Sequence, residues 1–398
     1  MSGASERPWR ERYLVFGAPS LGAGERAEVL ACIDSGWLGA GPRVAELERR
    51  LAAYLDAPAV VAVNSCTAAL HLSLKVLDLP PGSEILTTAM TFCATANAIV
   101  HAGHEPVFVD CDRGTGNLDL DDVRRKLTPR TRAILPVHFA GRPCDMDGLL
   151  AVAGQHGLFV VEDAAHALEA TTTRLGQPGR HCGTLGDLGC FSFYVTKSLT
   201  TVEGGLIVAR DPTLARRLKS LALHGMSADA WQRFSDEGYV HYEVEEPGFK
   251  YNLTDLAASI GLHQLASLEE RWRRRQVIWR FYEAELADLP LRLPPPPAPG
   301  TRHALHLYTC QVDDTRTRLT RDEILRRLHA LRIGAGVHYR PVHQHAWYRR
   351  TFGARTGTLP NAEWIGARTF SLPLSAGMTD TDASDVVRAL RQIFDDPT

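Results

Sequence analysis

Seven short apolar runs constrain this 398-residue chain more than any other feature. They lie at 60–63, 84–87, 106–109, 133–137, 158–161, 189–193 and 206–209. Patterns of helical period fill most of the gaps among the first five. A strand that is apolar along its whole length has no wet face, so it belongs in a parallel sheet covered by helices on both sides. The expected fold class is α/β, with a large domain built on a mostly parallel seven-stranded sheet. From about residue 258 a long amphipathic pattern runs to 289 and stops at four consecutive prolines, 294–297. Such a run is stiff and extended, and cannot continue a helix. Residues 305–394 then read as strand, helix, short strands and a closing helix from about 380, a smaller C-terminal α+β domain. A chain of this length exceeds what one core holds. The expected division is 13–260 for the large domain and 261–398 for the small one.

Composition removes several classes of function. The net charge is −2, which offers no field for nucleic acid or an anionic membrane surface. The densest basic run, 271–275, follows Glu269-Glu270 inside a helical pattern and reads as a solvated helix face. The eight cysteines form no CxxC pair and several sit in apolar runs, which suits reduced thiols in the cytoplasm. No apolar stretch reaches the roughly 20 residues of a membrane span. The first dozen residues are polar, resemble no secretion signal, and are expected to fray.

The chemistry concentrates after the strand-like runs, where ligands bind in open α/β sheets. Lys197 lies in Ser192-Phe193-Tyr194-Val195-Thr196-Lys197, and Glu203-Gly204-Gly205 follows before the last apolar run. A surface lysine fits this small, hydroxyl-rich setting poorly. Asp163 closes the run at 158–161. A lysine that forms a Schiff base, with an aspartate for a pyridine nitrogen, is how a protein holds pyridoxal phosphate, PLP. Asp163 would keep that nitrogen protonated by opposite charge at low dielectric. His166 lies within reach of the ring's phenolic oxygen. Ser65, Cys66 and Thr67 open a helix, a place for phosphate, and Ser192 is near enough in sequence to share it. Phe92, after the run at 84–87, is placed to stack on a flat ring. Taken singly, each has a plainer reading: a helix cap for Ser65 and Asp163, core for Phe92, a structural histidine for His166.

Two other patterns compete weakly. Gly22-Ala23-Gly24-Glu25-Arg26-Ala27 matches a dinucleotide loop, but no strand–helix–strand unit surrounds it. His338 and His343 lack a metal spacing and an accompanying carboxylate cluster, so no metal site is expected.

Taken in order, the motifs resemble the DegT/StrS family of PLP-dependent sugar aminotransferases from about Gly17 to the C-terminus. The quoted elements are Ser35-Gly36-Trp37, Asn64 to Leu70, Thr91-Phe92, Glu162 to Ala167, Phe191-Ser192-Phe193 with Lys197, Glu203-Gly204-Gly205, Gly248 to Asp255, Gly336 to Tyr339 and Ser371 to Leu374. The resemblance implies the type I aminotransferase fold, PLP as cofactor, and a homodimer whose active sites are shared. It assigns the covalent anchor to Lys197, the pyridine contact to Asp163, stacking to Phe92, the phenolic oxygen to His166, and phosphate to Cys66, Thr67 and Ser192. A loop carrying Lys250 and Asn252 would reach the partner's phosphate site. Within the family the chain is most similar to enzymes that aminate C4 of nucleotide-linked 4-keto sugars, with an amino acid, glutamate first, as donor. A 3-keto sugar or cyclitol acceptor, a PLP-dependent dehydratase or lyase, and a PLP-binding regulator without turnover are the alternatives. Ser198, Val202, Cys66, Glu169 and Lys250 depart from residues frequent in relatives, and Glu169 is expected to alter pocket shape or charge.

Overall fold

The structure, a computed structural model, describes residues 10–174, 176–227, 242–353 and 356–396. Two helices come first, α1 (Ala23–Asp34) and α2 (Pro42–Leu55). Then strands and helices alternate: β1 (Ala59–Val63), α3 (Cys66–Lys75), β2 (Glu84–Thr88), α4 (Cys93–His101), β3 (Glu105–Val109), α5 (Leu120–Lys126), β4 (Thr131–Leu135), α6 (Met146–His156) and β5 (Phe159–Asp163). A hairpin of β6 (Thr171–Arg174) and β7 (Gln177–His181) precedes β8 (Leu188–Ser192), β9 (Gly205–Ala209) and α7 (Pro212–Ala222). Each of the seven expected strands is present within two residues of its apolar run, because burial on both faces leaves an uninterrupted signal.

The seven-stranded sheet has the order β1-β9-β8-β5-β4-β2-β3. Pairs β2–β3, β2–β4, β4–β5 and β5–β8 are parallel. β9 is antiparallel to both β1 and β8, so it alone is reversed, and the other strands end at one edge. That edge collects the loops after β1, β2, β5 and β8. Helices cover both faces, giving separate apolar layers such as Leu70, Leu72 and Ile207 on one side and Leu47, Leu51 and Phe191 on the other.

The amphipathic pattern at 258–289 is not one helix. It divides at Ser267 into α8 (Asp255–Ala266) and α9 (Leu268–Glu285), and α8 spans the position where the sequence reading divides the chain. The basic run at 271–275 is also corrected. Arg275 is buried, Arg271 pairs with Glu25, and Arg273 alone of these three is exposed. At 3.6 residues per turn, 271, 275, 278 and 282 share one face, so consecutive charges point to opposite environments. After α9 come β10 (Leu291–Arg292), β11 (Tyr308–Val312), α10 (Arg321–Ala330), α11 (Ala346–Phe352), α12 (Pro360–Arg368), β12 (Thr369–Leu372) and α13 (Asp380–Asp395). β10, β11 and β12 form a second, antiparallel sheet packed on α9, α10 and α13 through Ile278, Tyr282, Tyr308, Phe370 and Leu390. A further apolar cluster joins the two sheets, with Phe108 and Phe139 against Leu307, Val342 and Tyr348. Residues 1–9 of the expected frayed terminus lie outside the described residues; Arg10 itself pairs with Asp382 and Asp385. No described helix is long and apolar enough to cross a membrane.

Glycine holds β8 close to its neighbour. A Cβ on Gly189 would meet the Gly183 carbonyl oxygen at 1.9 Å, whereas one on Gly154 in α6 would meet nothing within 4 Å. Gly189→Ala is therefore expected to lose about 2–3 kcal/mol through overpacking. Gly154→Ala should gain about 0.5–1 kcal/mol by relieving the backbone entropy of a helical glycine. Urea midpoints of the two variants check both signs.

Candidate active site

The strand ends at one sheet edge place the candidate residues. Beyond β1, Ser65 accepts a hydrogen bond from the Ala68 amide at 3.1 Å and so starts α3, leaving the amides of Cys66 and Thr67 at a helix N-terminus. Gly205 of β9 makes this approach tight, since a Cβ there would lie 2.6 Å from the Ser65 carbonyl. Beyond β2, Phe92 precedes α4 and is 59% exposed as a residue, so the plain core reading of it is overturned. Asp163 ends β5, Ser192 ends β8, and Lys197 follows in a turn closed by its amide and the Tyr194 carbonyl at 2.9 Å. Val202, in the loop back to β9, holds φ +71°, a strained conformation for a β-branched residue.

Asp163 is not a helix cap. It accepts from Thr95 Oγ1 at 2.8 Å and from the Ala165 amide at 3.1 Å, and both steady a buried carboxylate. Burial raises its pKa; Thr95, Ala165 and Lys197 oppose that rise. Burial also brings the Lys197 amine down to about 8, against the pull of Cys66 and Asp163 toward the charged form. Each group acts on the other, Asp163 raising the pKa of Lys197 and Lys197 lowering that of Asp163. Lys197 Nζ lies 3.5 Å from His306 Nε2. The His306 and His166 rings are 4.5 Å apart, and burial with the nearby lysine holds both imidazoles neutral.

Four residues at this cluster were given no cofactor role by sequence reasoning. His306 follows the proline run, in a segment without strand or helix period. Tyr339 donates or accepts at His166 Nε2, 3.2 Å away, and its ring lies 6.2 Å from that of Phe92. His338 bonds Ser371 Oγ at 2.8 Å, and burial beside Lys197 takes its pKa down to about 4. The His338-Tyr339 pair was visible as a motif, yet only the packing of the second sheet against the first brings it beside His166. Thr95 was visible too, one turn into α4, but nothing local tied it to Asp163.

The other candidates separate. Lys250 Nζ donates to Asn252 Oδ1 at 2.6 Å, and the Lys250 carbonyl accepts from Asn64 Nδ2 at 3.3 Å. Their described contacts do not extend to Lys197, Asp163 or His166. Glu169 is fully buried and pairs with Arg275. Gly22 simply starts α1, its amide donating to Glu25 at 2.9 Å, and forms no dinucleotide loop. A cavity of about 310 Å³ lies away from the lysine, among Arg113, Arg142, Trp279 and Trp364, behind Phe139. Phe139, which lines this cavity, has its ring 6.3 Å from that of Tyr339.

The model of the DegT/DnrJ/EryC1/StrS aminotransferase family matches residues 19–391. The chain belongs to this family. It is similar to the spore coat polysaccharide biosynthesis protein SpsC of Bacillus subtilis, 45% identical over 96% of this chain and 98% of the relative. Among solved structures, the sugar aminotransferase Spr1654 of Streptococcus pneumoniae in its PMP form superposes with a TM-score of 0.88 at 30% identity, covering 96% of this chain and 98% of that one. DesI, solved in the presence of its TDP-sugar product, superposes with a TM-score of 0.85 at 32% identity, covering 97% and 94%. The family fold and motifs make the chain a PLP-dependent sugar aminotransferase.

The side chains fit that cofactor. His166 Nδ1 is buried without a hydrogen-bond partner among the described residues, an unspent polar atom of the sort a ligand satisfies. Phe92 leaves a ring face open, and the α3 N-terminus offers amides for an anion.

The depressed amine sets a pH dependence. Asp163, Cys66, His166, His306 and His338 surround Lys197 electrostatically. In cofactor-free protein, labelling of Lys197 by an amine reagent is expected to rise with pH about a midpoint near 8, not 10.5. Between those values the unfolded chain holds the proton that the folded chain has released, so this lysine's contribution to stability rises with pH there. Peptide mapping of labelled protein across that range checks the midpoint.

Proposed function

We propose that the protein moves an amino group from an amino acid, L-glutamate first, to C4 of a nucleotide-linked 4-keto sugar in the cytoplasm. The observation that carries the chemistry is the half-buried Lys197 amine, 3.5 Å from the ring of neutral His306, depressed to about 8 and electrostatically coupled to buried Asp163. PLP, once bound, supplies the electron sink that lets a C–H bond next to nitrogen ionise. Lys197 is the covalent anchor and then the base. A neutral amine near pH 8 takes the proton from the donor Cα, and in the second half-reaction Lys197 returns a proton to the sugar carbon that receives nitrogen. Asp163 presents its carboxylate to the pyridine nitrogen, and Thr95 and the Ala165 amide hold that carboxylate in place. His166, fixed by Tyr339, offers Nδ1 to the phenolic oxygen. Phe92 covers a ring face, and Cys66, Thr67 and Ser192 take the phosphate.

The nucleotide-linked acceptor is supported by the likeness to DesI and its TDP-sugar. The C4 position rests on the resemblance of the Lys250 to Asp255 and His338-Tyr339 elements to those of enzymes that aminate C4 of nucleotide-linked 4-keto sugars. A homodimer fits two observations. Leu30, Ile33, Leu38 and Leu256 leave apolar surface exposed around α1 and α8, and the described contacts of the Lys250 and Asn252 side chains do not include this chain's own Lys197. The eight cysteines, all free, suit a reducing compartment.

Lys197→Ala is expected to abolish turnover and to lose the borohydride-stable PLP adduct, seen by mass spectrometry. Near-normal turnover by that variant would remove the mechanism. Asp163→Asn should slow single-turnover proton transfer by about 100-fold or more, the scale of a lost charge-stabilising contact. For the acceptor, the glutamate-reduced enzyme is offered UDP- and dTDP-linked 4-keto sugars, 3-keto sugars and scyllo-inosose while its visible absorbance is followed. Recovery with a 4-keto nucleotide sugar alone is the expected outcome. Recovery only with a 3-keto sugar or inosose would keep the transaminase and reject C4.

A further inference from the structure

Two of the departures from the family's frequent residues, Glu169 and Ser198, meet in the fold. Ser198 Oγ donates to Glu169 Oε2 at 2.9 Å. The other carboxylate oxygen of Glu169 pairs with Arg275 of α9. Arg275 Nη2 also donates to the Ala304 carbonyl at 3.3 Å. Glu169 is 0% exposed and Arg275 4%. Ser198 is the residue after Lys197, and Ala304 lies two residues before His306, whose Nε2 faces Lys197 Nζ. One buried ion pair is thus tied to both sides of the Lys197···His306 contact.

We propose that the Glu169–Arg275 pair is a positioning device for Lys197, acting through Ser198 on the lysine turn and through Ala304 on the His306 segment. This inference rests on Lys197 being the covalent anchor. Stability is a weak reason for such a pair, because desolvating two charges often costs more than their attraction returns. Nor is the network fully satisfied: Arg275 Nε is buried without an acceptor among the described residues. What the pair does supply is direction. A carboxylate held by a planar guanidinium gives the Ser198 hydroxyl one fixed acceptor. Further along the loop, the Thr201 amide and the Thr200 hydroxyl both donate to the Phe193 carbonyl, at 3.0 and 3.2 Å, and fix the return toward strained Val202; at the lysine end, Ser198 supplies the side-chain anchor outside the loop. The anchor comes from α9, so the placement of the C-terminal elements is coupled to the amine.

Removing one charge alone would strand the other in the core, so Ser198 is the cleaner handle. The full-length protein is freed of cofactor, mixed with PLP and quenched with borohydride at set times, and the adduct at Lys197 is counted by peptide mass spectrometry. Ser198→Ala is expected to slow adduct formation about 10-fold, the scale of a small misplacement of a reacting group. Ser198→Thr, which keeps the hydroxyl, should return the rate to within about two-fold. The double variant Glu169→Met with Arg275→Met leaves no stranded charge and should be at least as slow as Ser198→Ala, with an unchanged circular dichroism spectrum. Wild-type adduct rates in Ser198→Ala and in the folded double variant would overturn the proposal, as would a loss of melting temperature with no change in rate. Lys197→Ala separates the two readings: an adduct of equal yield in that variant means the anchor lies elsewhere, whatever Ser198 does.

Discussion

A half-buried amine and a buried carboxylate, both set at one edge of the sheet, fix the terms for the rest of this molecule. Burial penalises both charged forms, lowering the Lys197 pKa and raising that of Asp163, while their mutual attraction pushes each back. Such a pair persists only where the surroundings over-determine it. Thr95 and the Ala165 amide hold the carboxylate, and neutral His166 and His306 line the amine without adding a second positive charge. The same burial that lowers the lysine's pKa brings its neutral form closer to neutral pH than a free amine's.

The sheet makes that burial achievable. One reversed strand, β9, lets β8 turn through the lysine loop and come straight back beside itself, so Ser192 and Gly205 face each other in register. The remaining strands share a direction, and their carboxyl ends deliver Ser65, Phe92, Asp163 and Ser192 to one edge. Gly189 and Gly205 mark where backbone approaches too closely for any side chain, which keeps β8 and the α3 start at their spacing. The second sheet then lids this edge, carrying His338 and Tyr339 to the lysine and histidine of the first.

Much of this was legible beforehand. Strands buried on both faces leave runs without alternation, and all seven were visible for that reason. Lys197 and Asp163 stood out because a lysine among small hydroxyl residues and an acid at a strand end are chemically expensive in a core. The long amphipathic stretch misled, since two consecutive helices with only Ser267 between them keep almost the same period as one. The arginine run misled as well, because charge composition carries no information on which face of α9 each residue takes.

What the sequence determined by itself is therefore the order of strands, the placement of chemistry after them, and the kind of chemistry a lysine and an aspartate could share. These are local properties, written in periodicity and in residue types that do not suit their surroundings. Only the tertiary structure decided that Tyr339 meets His166, that His306 faces Lys197, and that Glu169, Ser198 and Arg275 form one buried network. Those contacts join residues up to 173 positions apart. They follow from how one sheet and its helices pack on another, and no short window of sequence carries that geometry.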